Sequence, residues 1–216
     1  MTPRVLVACE ESQAVTIELR RIGIAAWSCD IVPCSGGHPE WHIQGDALAL
    51  LNDGWDMLIA HPPCTYLSYA GIGHWNKPGR KEKREAAMQF FMEFVNAPVP
   101  RIAVENPLGL PNQAYRKPDQ VIHPYMFGDS ALKRTCLWLK GLPALEWYPT
   151  GGLFPSNAVE PPPPVSIDRN GKLRHWTDAA VRSQRARSKT FPGIARAMAD
   201  QWGRYLLHIA RQAAQS

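Results

Sequence analysis

"RVLVACEESQAVTIELRRIGIAAWSCD", residues 4–30, is the stretch that decides the fold. Its continuous apolar run Val5–Ala8 predicts a buried strand. Apolar side chains then recur at helical spacing, which predicts a helix over Ala14–Ile22 that Ser12 caps at its start. A second apolar run predicts a strand over Ile24–Cys29. A strand, a helix and a strand within so short a span are typical of two parallel strands joined by a helix.

The same alternation of apolar runs and helical segments continues along the chain. The further strands that we predict are Asp56–Ala60, Arg101–Val104 and Lys133–Leu139, and the further helices are Ala47–Leu51, Lys81–Val95 and one that starts at Pro192. The residues expected on the apolar face of that last helix are Ile194, Met198, Trp202 and Tyr205. The pattern predicts an α/β fold with a doubly wound, mostly parallel sheet.

Polar residues with chemical potential follow several of the predicted strands. They are Glu10, Asp30, Asp46, Cys64 and Glu105. Ligands of doubly wound sheets bind beyond the carboxyl ends of the strands, so we expect these side chains to gather along one edge. The alternative for any single residue is that loops are solvated and therefore polar, but this accounts less well for the whole set.

The composition is that of an ordinary globular domain. The chain has 216 residues, of which 45% are hydrophobic, and its formal net charge is +5. These values predict one domain, which we expect to be a monomer, and mildly favour a polyanionic partner. No apolar run reaches the roughly 20 residues of a membrane helix, and no signal peptide is visible. The five cysteines do not suit a disulfide scaffold, so we expect a reducing cytoplasm.

The segment "HPPCTYLS", residues 61–68, directly follows an apolar run. Pro62 and Pro63 end the predicted strand and stiffen the turn that follows it. Cys64 is therefore held rigidly at the ligand-binding edge, where a cysteine is a candidate nucleophile. The alternative is a small buried apolar residue, which is what many free cysteines are.

These motifs, taken together, resemble the DNA (cytosine-5) methyltransferases, and in particular compact phage-encoded DNA methylases. "HPPCTYLS" is similar to the Pro-Cys motif of that family, and "AVENP", residues 103–107, to its Glu-Asn motif. "FGDSALKRTCLWL" resembles the family's basic motif before a strand, and "KTFPGIARAMADQW" the last motif, which completes the cofactor pocket. The chain departs from the family at "ACEESQ", residues 8–13, where a Phe-x-Gly-x-Gly motif is usual.

The resemblance implies a Rossmann-like methyltransferase fold and a reaction on cytosine. Cys64 would add to C6 of a flipped-out base, and Glu105 would hydrogen-bond N3 and the exocyclic amine. C5 would then take a methyl group from S-adenosylmethionine. Lys133 and Arg134 would contact phosphate or the base O2. The substrate would be DNA, single- or double-stranded, in the cytoplasm of a bacterium or a phage-infected host.

The resemblance also implies a cofactor-binding set, which is Cys9, Glu10, Glu11, Ser12, Asp30, Ile31, Asp46, Ala47, His61, Pro62, Lys189 and Thr190. Asp30 would bind the ribose, and Asp46 would lie on the adenine side. Lys189 begins the last motif and would lie beside the methionine end. A cation there would also suit carboxy-S-adenosylmethionine, whose product would be 5-carboxymethylcytosine.

The DNA-binding residues that we predict are Ser68, His74, Lys77, Arg80, Arg174, Arg185 and Arg187. We expect residues 69–84 to form a mobile loop that closes over DNA, and the basic segment 168–189 to follow the phosphate backbone. Residues 1–140 and 189–216 would form the methyltransferase core. The Pro/Gly-rich and basic segment 141–188 would stand in place of a target-recognition domain, which is then minimal or absent.

Other functions stay open at this point. The same mechanism would serve an RNA substrate, and a catalytically inactive relative would bind nucleic acid only. The spacing of Cys29, Cys34, His38 and His42 is compatible with zinc. Because Cys29 falls within a predicted strand and Asp30 has a cofactor role, we expect no metal site.

Overall fold

The computed structural model describes residues 2–147, 161–164, 166–167, 169–171, 173–174 and 189–215. Its strands are β1 (Arg4–Ala8), β2 (Ala25–Asp30), β3 (His42–Gln44), β4 (Met57–Ala60), β5 (Ile102–Pro107), β6 (Gln120–Ile122), β7 (Thr135–Lys140), β8 (Ser166–Ile167) and β9 (Leu173–Arg174). Its α-helices are α1 (Ala14–Arg21), α2 (Arg80–Val95), α3 (Pro111–Ala114), α4 (Pro192–Ala197) and α5 (Arg204–Ala213). A π-helical segment, Met198–Gly203, joins α4 to α5.

One seven-stranded sheet organises the chain, in the order β3-β2-β1-β4-β5-β7-β6. β7 runs antiparallel to β5 and β6, and the pairs from β3 to β5 are parallel. The strand order reverses between β1 and β4, so the carboxyl ends of these two strands flank the crevice where such sheets bind ligands. The predicted α/β fold with a doubly wound, mostly parallel sheet is confirmed.

Helices cover both faces of the sheet. Val5 and Val7 of β1 point to the layer that α1, α4 and the π-helical segment form, whereas Leu6 and Ala8 point to the layer of α2. Successive side chains of a strand alternate between faces, so a strand buried on both sides needs apolar residues at every position. The continuous apolar runs of the sequence therefore predicted the central strands correctly.

Element ends differ from the predicted ones where tertiary pairing extends a strand. β5 was expected to end at Val104, but it continues because Glu105 pairs with Leu137 and Asn106 with Cys136 of β7. Glu105 thus lies inside a strand rather than in the loop after it. The three-residue strands β3 and β6 were missed because such short segments have no detectable periodicity.

The predicted cap of α1 is wrong. Gln13, not Ser12, is the N-cap residue, and its own side chain makes no capping bond. Glu10 caps the helix instead, because its carboxylate accepts hydrogen bonds from the backbone N–H of Val15 at 2.7 Å and of Thr16 at 3.3 Å. A carboxylate at a helix N-terminus also interacts favourably with the helix dipole.

The last helix buries a different face from the predicted one at its C-terminal end. Ile194, Met198 and Trp202 are buried as expected, but Tyr205 is 38% exposed and Leu206 is buried instead. The π-helical turn accommodates one extra residue, because its hydrogen bonds join residues five apart. The buried face therefore moves from Tyr205 to Leu206.

Most of the segment 141–188 lies outside the described residues, so its predicted role stays a prediction. Its described parts include the two-stranded ribbon of β8 and β9. Among the described residues, no helix combines the length and apolarity that crossing a bilayer requires.

Candidate active site at the carboxyl edge of the sheet

The turn that carries Cys64 begins at the end of β4. The backbone N–H of His61 donates to the carbonyl of Ala8 at 3.0 Å, which extends the pairing of β4 with β1 by one residue. The two prolines that follow cannot continue this ladder. The Cys64 carbonyl then accepts hydrogen bonds from the N–H groups of Leu67 at 3.0 Å and Ser68 at 2.9 Å. The turn is tight, and Cys64 on it is half-buried.

Asn106 ties this turn to the strand that carries Glu105. Its side-chain amide donates to the carbonyl of Pro62 at 2.7 Å, and Asn106 is 1% exposed. The Pro-Cys motif and the Glu-Asn motif, which are 44 residues apart, are thus joined by one buried hydrogen bond.

Gly109 allows a second connection between the same two segments. The N–H of Leu110 donates to the carbonyl of Leu67 at 2.7 Å, and that of Tyr69 to the carbonyl of Leu108 at 3.1 Å. A Cβ atom at Gly109 would overlap the carbonyl oxygen of Leu67. Only glycine permits this close approach of the two backbones.

Glu105 lies in a polar pocket with His61 and Lys133. Its carboxylate oxygen Oε2 is 3.3 Å from Nδ1 of His61. Burial alone would raise the pKa of Glu105, but the hydrogen bond from His61 and the charges of Lys133 and His61 outweigh it and hold the pKa below its usual value. Lys133, in turn, lies 5.9 Å from the centroid of the Phe191 ring. The structure therefore brings the predicted catalytic Glu105 and Lys133 together.

The structure adds contacts for His61 and Arg134 that the motifs did not predict. The ring of His61 lies against Glu105, and its binding of cofactor stays a prediction. Arg134 is exposed. Burial is the main cause that lowers the pKa of His123, and the charge of Arg134 lowers it further. His123 was not recognised from the sequence, because a histidine after the short strand β6 has no motif around it.

The predicted cofactor-binding carboxylates converge at the carboxyl ends of β1 and β2. Burial raises the pKa of Cys9 far above its usual value, and the nearby Asp30, Cys29 and Asp46 raise it further. Burial together with Asp30 and Asp46 also raises the pKa of Cys29 to about 11. The N–H of Gly45 donates to the carbonyl of Asp30 at 2.9 Å, which brings the turn of Asp46 to this position.

A glycine-free turn lies beside these carboxylates. Cys9 and Gln13 adopt left-handed backbone conformations with φ of 59° and 58°. Such values are uncommon for residues other than glycine and persist only where the surroundings enforce them. Gln13 is held by its side chain, which donates to the carbonyl of His38 at 2.8 Å and accepts from the His38 N–H at 3.0 Å. "ACEESQ" therefore makes a sharp turn without the glycines that the resemblance would require.

The remaining predicted cofactor residues fall into distinct environments. Glu10 is 3% exposed and accepts hydrogen bonds from the α1 N-terminus, and its contact with cofactor stays a prediction. Ile31 is 75% exposed next to Asp30, whereas Ala47 and Pro62 are buried and Ser12 is half-buried.

The C-terminal segment reaches this region through Lys189. Its Nζ donates to the Ser35 hydroxyl at 3.0 Å and lies 3.9 Å from a carboxylate oxygen of Glu11. The half-buried Thr190 follows it. Asp129 positions this segment by accepting a hydrogen bond from the N–H of Gly193 at 2.9 Å, at the start of α4.

The predicted mobile loop 69–84 is folded. It contains a 3₁₀ helix, Tyr69–His74, which the Ser68 hydroxyl caps by accepting from the N–H of Ala70 at 3.2 Å. We call the group of Tyr66, Tyr69, Trp75, Arg80, Lys83 and Arg84, whose three basic members lie on the first turns of α2, the aromatic–basic loop. The guanidinium of Arg80 lies 5.0 Å from the Tyr66 ring centroid, and that of Arg84 lies 4.9 Å from the Trp75 ring centroid.

Other predicted DNA-binding residues are distributed unevenly. His74 and Lys77 are exposed beside the aromatic–basic loop. Arg174 lies in β9, and Arg185 and Arg187 lie outside the described residues.

Three of the four residues with zinc-like spacing, Cys29, His38 and His42, have protein partners. His42 Nδ1 is 2.8 Å from the Ser28 hydroxyl, and the His38 ring stacks on Trp41 at 4.0 Å between centroids. Cys29 is buried, and its thiol donates to the carbonyl of Gly45 at 3.5 Å. Within the described part of the chain, no three histidine, cysteine or acidic side chains are grouped so as to hold a metal ion.

Comparison with known proteins gives a distant structural likeness. No family model and no curated protein matches the chain. A crystal structure of a candidate DNA modification methyltransferase encoded within a prophage (E. coli) is similar at a TM-score of 0.42 and 15% sequence identity. The match covers 64% of this chain and 46% of that protein, so this chain corresponds to less than half of its length.

Proposed function

We propose that this protein is a DNA cytosine-C5 methyltransferase that uses S-adenosylmethionine and forms a covalent adduct between Cys64 and C6 of a flipped-out cytosine. The observation that carries the proposal is the buried hydrogen bond from Asn106 to Pro62, because it couples the candidate nucleophile to the strand of Glu105. A thiol and a base-binding carboxylate acting on one ring must be held in fixed relative positions. The Gly109 contact supports the same coupling.

The chemistry requires these groups in defined roles. C5 of cytosine is a weak nucleophile, and addition of the Cys64 thiolate to C6 converts the ring into an enamine that is nucleophilic at C5. As the sulfur–carbon bond forms, N3 takes up a proton, and Glu105 binds N3 and the exocyclic amine. After methyl transfer, loss of the C5 proton reforms the ring double bond and expels the thiolate. N3 then returns its proton.

The residues at the β1 and β2 ends fit the proposed cofactor. When bound, S-adenosylmethionine supplies an electrophilic methyl group. Asp30 would accept hydrogen bonds from the ribose hydroxyls, as an acidic residue does in comparable sheets. The exposed Ile31 side chain would cover an adenine face, and Asp46 would accept from the adenine amine. Lys189 and its neighbour Thr190 would close the methionine end.

DNA as the substrate is supported by the positive charge next to the Cys64 turn. His74, Lys77 and the aromatic–basic loop present cations and rings on one side of the site. Base flipping exposes bases and phosphates that such groups bind well. In this proposal residues 1–140 and 189–216 form the catalytic core, and 141–188 stand in place of a target-recognition domain.

The proposal is tested by trapping the adduct. DNA containing 5-fluorocytosine blocks the last elimination, so intact-mass analysis with S-adenosylmethionine should find a protein–DNA adduct. Cys64→Ala should lose the adduct, whereas Cys34→Ala, a change at another partly exposed thiol, should keep it. An adduct that survives in Cys64→Ala would refute the assignment. An adduct with RNA alone would move the substrate to RNA, and binding without chemistry would indicate an inactive relative.

A second candidate is carboxymethyl transfer from carboxy-S-adenosylmethionine by the same mechanism. The observation that favours it is the Lys189 ammonium anchored by Ser35 and Glu11 at the proposed methionine end. Mass spectrometry of DNA treated with each cofactor separates the two. Activity with ordinary S-adenosylmethionine alone would remove this candidate.

A further inference from the structure

The buried imidazole of His61 lies beside the Glu105 carboxylate, and the mechanism proposed above gives this imidazole no role. The His61 side chain is 8% exposed and that of Glu105 is 16% exposed, with Nδ1 and Oε2 3.3 Å apart. The backbone of His61 is fixed by its hydrogen bond to Ala8. The ring is therefore presented to Glu105 by the sheet itself and not by a loop.

The other ring nitrogen of His61 is unusual. Among the described residues, Nε2 has no hydrogen-bond partner although it is buried. A buried polar atom without a partner costs about 1–3 kcal/mol, and a catalytic role is one of the explanations for keeping such an atom. A leucine or phenylalanine would fill this volume without that cost.

Charged groups face this pair from several elements. The charge of Lys133, which precedes β7, lowers the pKa of Glu105. The charge of His61 likewise lowers the pKa of the buried Glu10, which follows β1. Burial raises the pKa of Glu10, and the charge of His61 opposes that rise. Cys136 of β7 is near enough for Glu105 to affect its pKa. The imidazole thus contacts Glu105 directly and is near enough to Glu10 for its charge to act on that second carboxyl group.

Cytosine places a special demand on such a carboxyl group. Its exocyclic amine is a hydrogen-bond donor, but its N3 is an acceptor, so an ionised carboxylate cannot bind both. One proton must be available at N3 when the thiolate adds to C6. A carboxyl group hydrogen-bonded to an imidazole can draw that proton from the ring N–H.

We propose that His61 is a positioning and proton-holding residue for Glu105, and that the proton which N3 receives belongs to the His61–Glu105 pair. The inference rests on the proposed function. As the sulfur–C6 bond forms, the pair loses one proton to N3. When elimination breaks that bond, N3 returns the proton to the pair, while the C5 proton leaves to solvent. No net proton is gained or lost by the pair in one cycle.

The test compares His61→Asn with wild type across pH. Asparagine retains a side-chain N–H that can donate to Glu105, but it does not titrate. The single-turnover rate of methyl transfer should fall about 100-fold, and the limb of the pH profile that belongs to the pair should disappear. Equilibrium binding of S-adenosylmethionine should be unchanged. His208→Asn on α5 is the matched control and should keep both the rate and the profile.

The outcomes separate the inference from the proposed function. A His61→Asn profile of wild-type shape, merely scaled down, would make His61 structural and overturn the inference. Wild-type protein that forms no adduct and transfers no methyl group would overturn the proposed function. If His61→Asn does not fold, the NMR signal of the His61 Nδ1 proton in wild type and in Glu105→Gln replaces it. Replacing Glu105 should shift that signal, and an unchanged signal would refute the pair.

Discussion

At the scale of single residues, the candidate site depends on side chains that no motif marks by itself. Asn106 joins β5 to the Cys64 turn through one buried hydrogen bond, and Glu10, which precedes α1, caps that helix. Gly109 is required because a Cβ atom at this position would overlap the backbone of Leu67. Each of these residues acts through a contact with a partner that is fixed by a different element.

Replacing Gly109 by alanine should disrupt the coupling of the Cys64 turn to β5. The added methyl group forces the Leu67 backbone to move, and overpacking of this kind costs about 1–3 kcal/mol in the free energy of unfolding. Denaturant unfolding and the 5-fluorocytosine adduct measure both effects. Gly73→Ala is the control, because a Cβ at Gly73 has nothing within 4 Å. Equal stability of the two variants would contradict the argument.

Glu10 should make the free energy of unfolding depend on pH. Burial raises its pKa in the folded state, so the folded protein binds this proton more tightly than the unfolded chain does. Its contribution is fully present below the unfolded pKa and is lost as pH rises through the folded pKa. The free energy of unfolding of wild type, relative to that of Glu10→Gln, should therefore fall as pH increases. Denaturant unfolding at a series of pH values checks this, and the exposed Glu82→Gln is the control. A difference between wild type and Glu10→Gln that does not change with pH would contradict the prediction.

At the scale of elements, the aromatic–basic loop shows how helix and loop stabilise each other. Arg84 on α2 donates to the Trp75 carbonyl at 2.6 Å and stacks on its ring. Tyr69 packs against the same ring at 5.7 Å between centroids. These contacts give the predicted loop a folded conformation and leave its outer side exposed to solvent.

Trp75→Leu should loosen this loop while the sheet stays intact. A cation–π contact at a partly exposed site contributes about 0.5–1 kcal/mol, so local opening should increase several-fold. Limited trypsin digestion after Arg80 and Lys81 measures this opening. Trp147→Leu, which changes a 41% exposed ring elsewhere, should digest at the wild-type rate. Unchanged cleavage in Trp75→Leu would show that the ring contacts do not hold the loop.

At the scale of the whole molecule, the sheet gathers the candidate functional groups at one of its edges. The carboxyl edge carries Cys64, Glu105 and the aromatic–basic loop. The C-terminal segment brings Lys189 to the same edge from a position 154 residues away from its partner Ser35. The net charge of +5 adds a general attraction for polyanions.

If DNA binds at this edge, charge removal there should change the salt dependence of affinity. Each phosphate contact contributes about 0.9 to the slope of log affinity against log salt concentration. Lys77→Ala or Arg80→Ala should reduce that slope and weaken binding to all sequences alike. Arg211→Ala on α5 has the same charge change and should leave the slope unaltered. Fluorescence anisotropy over a salt series makes the comparison, and a flat salt response in wild type would exclude the electrostatic interface.

The sequence by itself determined the fold class and the positions of the two main motifs. Apolar runs such as Val5–Ala8 report burial on both faces, and the prolines after β4 report a rigid turn, because both are local consequences of residue type. Only the tertiary structure decided that Glu10 caps α1, that His61 contacts Glu105 and that the buried face moves to Leu206. These outcomes depend on which strands lie side by side and on how helices pack, and such contacts between distant residues leave no periodicity in the sequence.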